Sequence, residues 1–516
     1  MNVLLINTNR ETSPSPAIPL GLCAVASSAA AAGHSVTVED LCFARNPLRR
    51  LAEALAKAKP DVIGLSVRNI DSSDSVRPTW FMPEIREIVR TCREYSPVPI
   101  AIGGPAVGLL PRPVLEYLEA DYAVVGDGEA AFVELLSALS DGKDAGSPGI
   151  VRSRQAEPHP SPPLNGEGAG VPPPLRRGLG GGRSALSTQR SVPSPESPTH
   201  LQTYKPTDLD ALPRTRVGDW IDMRPYLAHA AALPVQTKRG CAFECDYCLY
   251  GQIEGRTYRL RSPSAVADEI AELAAAYPGS SVEFVDSTFN YPEAHAIEVC
   301  EELIRRGRGI ALQSVELNPA FCSDDLVTAM ERAGFVSVGV TPESASDRVL
   351  SALRKGFTSD DVRRAAETLR RTNMLRLWIF LMGGPEETEE TARQTIDFME
   401  SDLSDRDLVY ITYGVRIYPG TGVHRRAIAE GVVSKEDDLL RPRFYVSPGL
   451  TLDRLWSLLG RSKFPSKNVI FASDGNQRGL RVVQRLSALL GARPPYWRHA
   501  PLMNKTIGRF LRRGGG

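Results

Sequence analysis

The sequence predicts an α/β protein made of two parallel-sheet units in tandem. A doubly wound sheet spans residues 1–145, and a partial α/β barrel of six strands spans 206–430. Three observations predict this. Short apolar runs alternate with helix-like stretches along 1–140 and again from about residue 233. A proline- and glycine-rich stretch without aromatic residues separates the two series. Three of the eight cysteines crowd into one short segment directly after the first strand of the second series.

Asn2–Asn7 is an apolar run of the kind found in a buried strand. Leu20–Ala32 is alanine-rich and ends at Gly33, a helix with its stop. Ser35–Glu39 alternates as a second strand, and Pro47–Lys57 is a helix with proline at its start. Asp61–Val67, Val98–Gly103 and Tyr122–Gly126 are the remaining strands. Met82–Tyr95, Pro113–Leu118 and Ala130–Leu139 are the helices between and after them. Five such units imply a doubly wound parallel sheet.

Residues 151–200 hold ten prolines and seven glycines and no Phe, Trp or Tyr. That composition buries too little apolar surface to offset chain entropy, so 146–205 reads as a disordered low-complexity insertion. Alternation then resumes. The strands expected are Pro234–Lys238, Ser281–Val285, Ala311–Glu316, Val336–Val340, Leu375–Met382 and Asp407–Arg416. The helices between them are Ala265–Ala276, Ala294–Arg306, Ser323–Ala333, Ser346–Leu353, Ser359–Thr372 and Thr388–Glu400. Residues 431–516 are less regular, with helix-like stretches at Leu452–Arg461 and Gln477–Leu490 and a basic tail, Lys505–Arg513. They read as an extension flanking the barrel.

Lys plus Arg and Asp plus Glu both total 61, so the net charge is zero and no general affinity for nucleic acid is expected. No run reaches the roughly 18 apolar residues of a membrane span, the longest being Leu377–Met382. Met1–Asn9 lacks the basic flank of a secretory signal, and eight cysteines in 516 residues are too sparse for a disulfide scaffold. A reducing cytoplasm is the compartment expected.

The cysteine segment reads Arg239-Gly240-Cys241-Ala242-Phe243-Glu244-Cys245-Asp246-Tyr247-Cys248. It follows a strand, so it sits at the C-terminal face of the barrel, where ligands collect. Three thiolates on one tight loop suit three irons of a cubane cluster, leaving one iron open. Zinc would want a fourth protein ligand. The seven histidines form no paired motif, and Cys300 lies far off in an expected helix.

Cys241-x3-Cys245-x2-Cys248, with an aromatic residue before the last cysteine, resembles the signature of the radical S-adenosylmethionine (SAM) enzymes. The resemblance covers about 206–430. It implies that Cys241, Cys245 and Cys248 hold a [4Fe–4S] cluster whose open iron binds SAM. It also implies an external low-potential electron donor of flavodoxin or ferredoxin type. By the same resemblance, the backbone of Tyr247 lies near the adenine, and the segment of Asp286 and Ser287 meets the SAM amino group. Glu343 faces the SAM site, Gly383 and Gly384 form the turn beside the adenine, and Arg416, in the sixth-strand segment, also contacts SAM.

The first 140 residues carry glycines after the strands, where a doubly wound sheet binds ligands. No phosphate-binding glycine motif follows the first strand, which argues against a nucleotide. Pro19-Leu20-Gly21-Leu22, Ile102-Gly103-Gly104-Pro105 and Val125-Gly126-Asp127-Gly128-Glu129 resemble the flavodoxin-like cobalamin-binding domain found ahead of many radical SAM domains. The resemblance implies a cobalamin site at Arg68, Asn69, Asp71, Gly103, Gly104, Gly126, Gly128 and Glu129. The D-x-H-x-x-G motif that supplies a histidine to cobalt in many such domains is absent. Any cobalamin here is expected without a histidine below cobalt.

Together the resemblances imply a cobalamin-dependent enzyme that methylates an unactivated carbon of a small-molecule, lipid or peptide substrate through methylcobalamin and a 5′-deoxyadenosyl radical. A cobalamin-containing cyclase, oxidase or rearrangement enzyme is the first alternative. A methylthiotransferase is the second, although Cys23, Cys42 and Cys92 are too scattered for its extra cluster. A non-catalytic iron–sulfur protein is the third. Tyr445, Trp456, Tyr496 and Trp497 are candidate substrate contacts, with packing roles the more common use of such residues.

Overall fold

Continuous apolar strands and alternating strands fold differently here, and that contrast sets the architecture. The computed structural model describes residues 1–12, 15–143, 146–154, 203–307, 309–465 and 468–472. Most of the expected 146–205 insertion, the helix expected at Gln477–Leu490, the basic tail, Tyr496 and Trp497 lie outside the described residues.

The first sheet contains β1 (Asn2–Asn7), β2 (Ser35–Asp40), β3 (Val62–Ser66), β4 (Ile100–Gly103), β5 (Tyr122–Val124) and β6 (Ile150–Arg152). Their order is β2-β1-β3-β4-β5-β6, parallel except for β6. β1 is apolar on both faces because both are covered. Val3 and Leu5 pack with Leu22 and Ala26 of helix Leu20–Ala31 and with Phe132 of helix Gly128–Ser140. Leu4 and Ile6 pack on the other face with Leu51 of helix Pro47–Ala58 and Ile88 of helix Met82–Tyr95. Two details depart from expectation. The helix expected at Pro113–Leu118 begins at Pro111 and is preceded by a short one, Pro105–Leu109, each starting with the proline that suits a first turn. Residues 150–152, expected within the insertion, instead pair with β5 and cover its edge.

The second unit begins with β7 (Leu233–Val235), β8 (Lys238–Arg239), β9 (Arg259–Leu260), β10 (Ser281–Phe284), β11 (Ala311–Leu317) and β12 (Phe335–Glu343). It continues with β13 (Leu375–Met382), β14 (Asp407–Tyr413), β15 (Val415–Arg416), β16 (Phe444–Tyr445) and β17 (Val469–Phe471). The main sheet is parallel, in the order β17-β14-β13-β12-β11-β10-β7, and its two edge strands do not pair with each other. It is an open barrel of seven strands rather than the six expected. The seventh, β17, has three residues, too few to show a period. The single strand expected over Asp407–Arg416 breaks at Gly414, whose φ is +73°. Beyond it, β15 leaves the sheet and pairs antiparallel with β16.

β13 alternates. Arg376, Trp378, Phe380 and Met382 are buried on the outer face, where Trp378 and Phe380 meet Phe398 of helix Glu389–Asp402. Leu375, Leu377, Ile379 and Leu381 are half-buried on the concave face. The outer face carries its own satisfied polar group: the buried Arg376 donates to Asp407 at 2.6 Å, and Trp378 Nε1 donates to the same carboxylate at 3.0 Å.

Candidate active site

The cysteine loop departs from β8 at Gly240, whose φ is +106°. A Cβ there would lie 2.3 Å from the Thr257 carbonyl oxygen, so only glycine fits the turn. The loop is pinned from several directions. Gly240 N–H donates to Glu254 at 3.0 Å, and Ser287 Oγ donates to the Gly240 carbonyl at 2.8 Å. Cys241 N–H donates to Gly255 O at 2.9 Å, Asp246 N–H to Leu353 O at 2.9 Å and Cys248 N–H to Cys245 O at 3.1 Å. Cys241 is buried, while Cys245 and Cys248 are half-buried. Burial pushes the Cys248 thiol up to about 12, so metal binding here releases a proton. Among the described residues no three His, Cys, Asp or Glu side chains converge on one ion. A three-thiol loop suits a cluster, in which each thiolate takes a different iron. Of the described histidines, His229 bonds to Pro225 O, His295 to Arg261 O and His34 to the Met1 amino group, and His424 accepts from Gly420 N–H.

Tyr247 and Glu343 meet directly. The Tyr247 hydroxyl donates to Glu343 Oε1 at 2.7 Å, and Lys355 Nζ donates to Tyr247 at 3.1 Å and to Glu343 at 3.4 Å. Glu343 has φ +67°, a left-handed conformation that turns the end of β12 toward the cysteine loop. Burial raises the Tyr247 phenol, and the Glu343 carboxylate raises it further, so it stays protonated as a donor. Gly383 has φ +79°, and its Cβ would lie 2.9 Å from the Tyr413 ring, so the turn after β13 needs glycine. Gly384 has ordinary clearance.

Two expected SAM contacts have other partners. Asp286 is buried and accepts from Thr237 N–H at 2.8 Å, Thr237 Oγ1 at 2.6 Å and Lys238 Nζ at 3.0 Å. Both oxygens are used to tie β10 to the chain entering the cysteine loop. Arg416 is buried too. Its guanidinium donates to Asp71 at 2.8 Å, to Ile417 O at 2.6 Å and to Leu439 O at 2.8 Å. Asp71, expected at cobalamin, is therefore bound to Arg416, expected at SAM. Glu129 likewise accepts from Arg239 at 2.6 Å, and Asp127 pairs with Arg259. Each pair joins the loops after the first sheet to the loops after the second.

The remaining positions on the first sheet leave backbone exposed. Gly104 has φ +102°, and its Cβ would lie 2.8 Å from Val67 O. Gly126 has φ +90°, and its Cβ would strike Thr203 at 2.8 Å. Gly103 has ordinary clearance against Val124 and Gly128 little, its Cβ lying 3.0 Å from Val25. Arg68 is exposed and Asn69 half-buried just past β3, beside the β1/β3 switch point where a sheet of this order binds ligands. The Cβ positions of Gly104, Gly126 and Gly128 face protein atoms, so glycine is needed for the turns themselves, and the turns form a cradle of backbone at the strand ends, where a broad, flat group such as a corrin ring can approach. The phenol of Tyr250, half exposed, stands within electrostatic reach of Arg68, Glu316 and Cys248. The C-terminal edges of both sheets thus line one cleft.

Three participants were not picked out in the sequence. Lys355 is a lone lysine in a turn and carries no motif. Thr237 precedes the cysteine loop but is unremarkable by type. Glu316 was findable, because it ends a barrel strand as Asp286 and Glu343 do. Burial, and then repulsion from Glu343, pushes its carboxyl up to about 8. Of the aromatic candidates, Tyr445 is buried beside Val415 and Ile417, and Trp456 stacks near Phe471 with centroids 4.4 Å apart.

The Radical SAM superfamily matches residues 235–399, and the B12 binding domain matches 6–136. An uncharacterized methyltransferase of Pyrococcus horikoshii is 27% identical over 80% of this chain and 79% of its own length. The tryptophan 2-C-methyltransferase of Streptomyces laurentii is 24% identical over 83% of this chain and 74% of its own. The solved structure of the radical S-adenosylmethionine methyltransferase TsrM from Kitasatospora setae, with cobalamin and a [4Fe–4S] cluster bound, superposes with a TM-score of 0.79. It is 24% identical, and 99% of each chain is covered. With the three-thiol loop on one side of the cleft and the glycine cradle on the other, the chain belongs to the radical SAM enzymes that carry an N-terminal cobalamin-binding domain.

Proposed function

We propose that this enzyme transfers a methyl group from SAM to an unactivated carbon of an organic substrate held between the two sheets. The observation that carries the reading is the facing of the two cofactor edges, clamped by the buried Arg416–Asp71 pair. Its cofactors are a [4Fe–4S] cluster, SAM and cobalamin. Bound in this cleft they supply a carbon radical and a methyl group, chemistry that an inert carbon demands because it is no nucleophile. Cys241, Cys245 and Cys248 hold the cluster. Ser287 and Asp286 position the loop that carries it. Tyr247, Glu343 and Lys355 form a hydrogen-bonded wall beside it, and the turn at Gly383 and Gly384 leaves room for adenine. Arg68, Asn69, Gly103, Gly104, Gly126 and Gly128 form the cobalamin side. Asp71, Glu129 and Arg416 act as struts that hold the two cofactor sites in register and keep water out.

Radical SAM chemistry requires a reductant, and we infer a flavodoxin- or ferredoxin-type donor in a reducing cytoplasm. Among the described residues no helix is long and apolar enough to cross a membrane. We assign residues 1–145 to the cobalamin-binding domain, 206–430 to the barrel and 431–516 to the extension, with 146–205 between the two domains. The test is anaerobic: the cluster is reconstituted, hydroxocobalamin added and the excess removed, then SAM and a low-potential reductant are supplied. Retained cobalamin with formation of S-adenosylhomocysteine is expected. Cleavage of SAM to 5′-deoxyadenosine without retained cobalamin would overturn the reading.

A further inference from the structure

The concave face of the second sheet has a polar spot that the site above does not use. In register across the sheet, Glu283 of β10 stands beside Gln313 of β11, with Ser337 and Leu375 following in the same row. Gln313 Nε2 donates to Glu283 Oε2 at 2.8 Å. Gln313 is 7% exposed, and its amide oxygen has no partner. Glu283 lies three residues before Asp286, about 10 Å down the strand from the cleft rim. Leu377, Ile379 and Tyr410, half-buried on the same face, continue it as an apolar floor.

The Gln313 amide N–H is spent on Glu283, and among the described residues no donor reaches the Gln313 amide oxygen and no cation pairs with Glu283. Lys355 is turned to Glu343 and Tyr247, and Lys238 to Asp286 and the Phe289 carbonyl. Glu316, further up the same strand, adds a second carboxyl without a cation of its own. Such a surface costs free energy until a ligand brings donors, and two carboxylates select a positive one over a negative one. An arriving cation also favours the ionised form of both acids, which burial disfavours.

We propose that Glu283 and Gln313 determine substrate specificity by receiving a protonated amine, while Leu377, Ile379 and Tyr410 hold the apolar body that carries the carbon to be modified. The proposal rests on the cleft being the active site described above, and it names the class of substrate: an apolar or aromatic amine.

The test uses the holoenzyme loaded with cluster and cobalamin, and three probes of one shape: 2-phenylethylamine, 2-phenylethanol and 3-phenylpropionate. Calorimetry is expected to give at least about tenfold tighter binding of the amine than of the alcohol, the acid being weakest. Glu283→Gln is expected to bring amine and alcohol within about threefold of each other. If that variant fails to retain its cofactors, Gln313→Met, which keeps the volume but not the acceptor, is read by the same ratio. Equal binding of alcohol or acid overturns the proposal. So does an amine preference that survives both substitutions, or no binding of any probe at about 10 mM. S-adenosylhomocysteine formation is followed separately in the unmodified enzyme. Amine preference without it removes the methyl-transfer reading alone, and methyl transfer without amine preference removes this proposal alone.

Discussion

The two parallel sheets follow the same strand–helix rules and treat their faces differently. In the first, β1 and β3 are buried on both sides by helices, and a ligand has access only at the strand ends. In the second, helices cover the outer face alone, and β13 alternates buried and half-buried residues along its length. The lesson is that alternation in a parallel strand marks an unfilled face. The first sheet offers a ligand an edge alone, and the second offers both an edge and a floor.

The largest expected effect separates the two edges. Cys245→Ala should drop bound iron from about four per chain to below one and abolish SAM cleavage while cobalamin retention persists, as read by metal analysis and absorbance. Loss of both cofactors together would show that the edges are not independent. Next comes the clamp between them. Asp71→Asn leaves the Arg416 guanidinium buried without its counter-charge and should cost about 3–5 kcal/mol in urea unfolding. A cost below about 1 kcal/mol would make the pair incidental.

The faces are compared by a matched pair. Leu65, 2% exposed within the first sheet, should cost about 2–5 kcal/mol when changed to alanine. Leu377→Ala, on the concave face, should cost about 1 kcal/mol or less, because it removes area that is already partly wet. Equal costs would mean that the concave face is packed rather than open.

A further effect, confined to one side of the pH range, concerns Glu387 at the rim of the second sheet. It is fully buried, and burial pushes its carboxyl from 4.5 up to about 7, against a hydrogen bond from Thr391. A raised folded-state value means that the unfolded chain gives up its proton first. Stability from this group is complete below about 4.5, declines as pH rises and is lost above about 7. Glu387→Gln should leave unfolding at pH 4 nearly unchanged and gain about 1–2 kcal/mol at pH 8. An unchanged pH slope in the variant would remove Glu387 as its cause.

Much of this was legible in contiguous sequence. The helix stop at Gly33, the run of strands along 1–140 and the thiol spacing at 241–248 depend on neighbours a few residues apart. The open seventh strand was not, because three residues carry no period. Nor was the break at Gly414, where a glycine in an apolar run reads as one more strand residue until its φ of +73° is seen.

The sequence by itself determined the fold class and the order of the two domains and marked three clustered thiols as candidate cluster ligands, through local period, fixed spacing and family resemblance. Only the tertiary structure decided which polar residues at the strand ends face the cleft and which tie the domains together. Asp71 and Arg416 stand 345 positions apart, and Arg239 stands 110 from Glu129. A charged residue after a strand looks the same in sequence whether it awaits a ligand or a partner. Its role is set by what the fold brings within about 3 Å, where a buried charge must find its counter-charge.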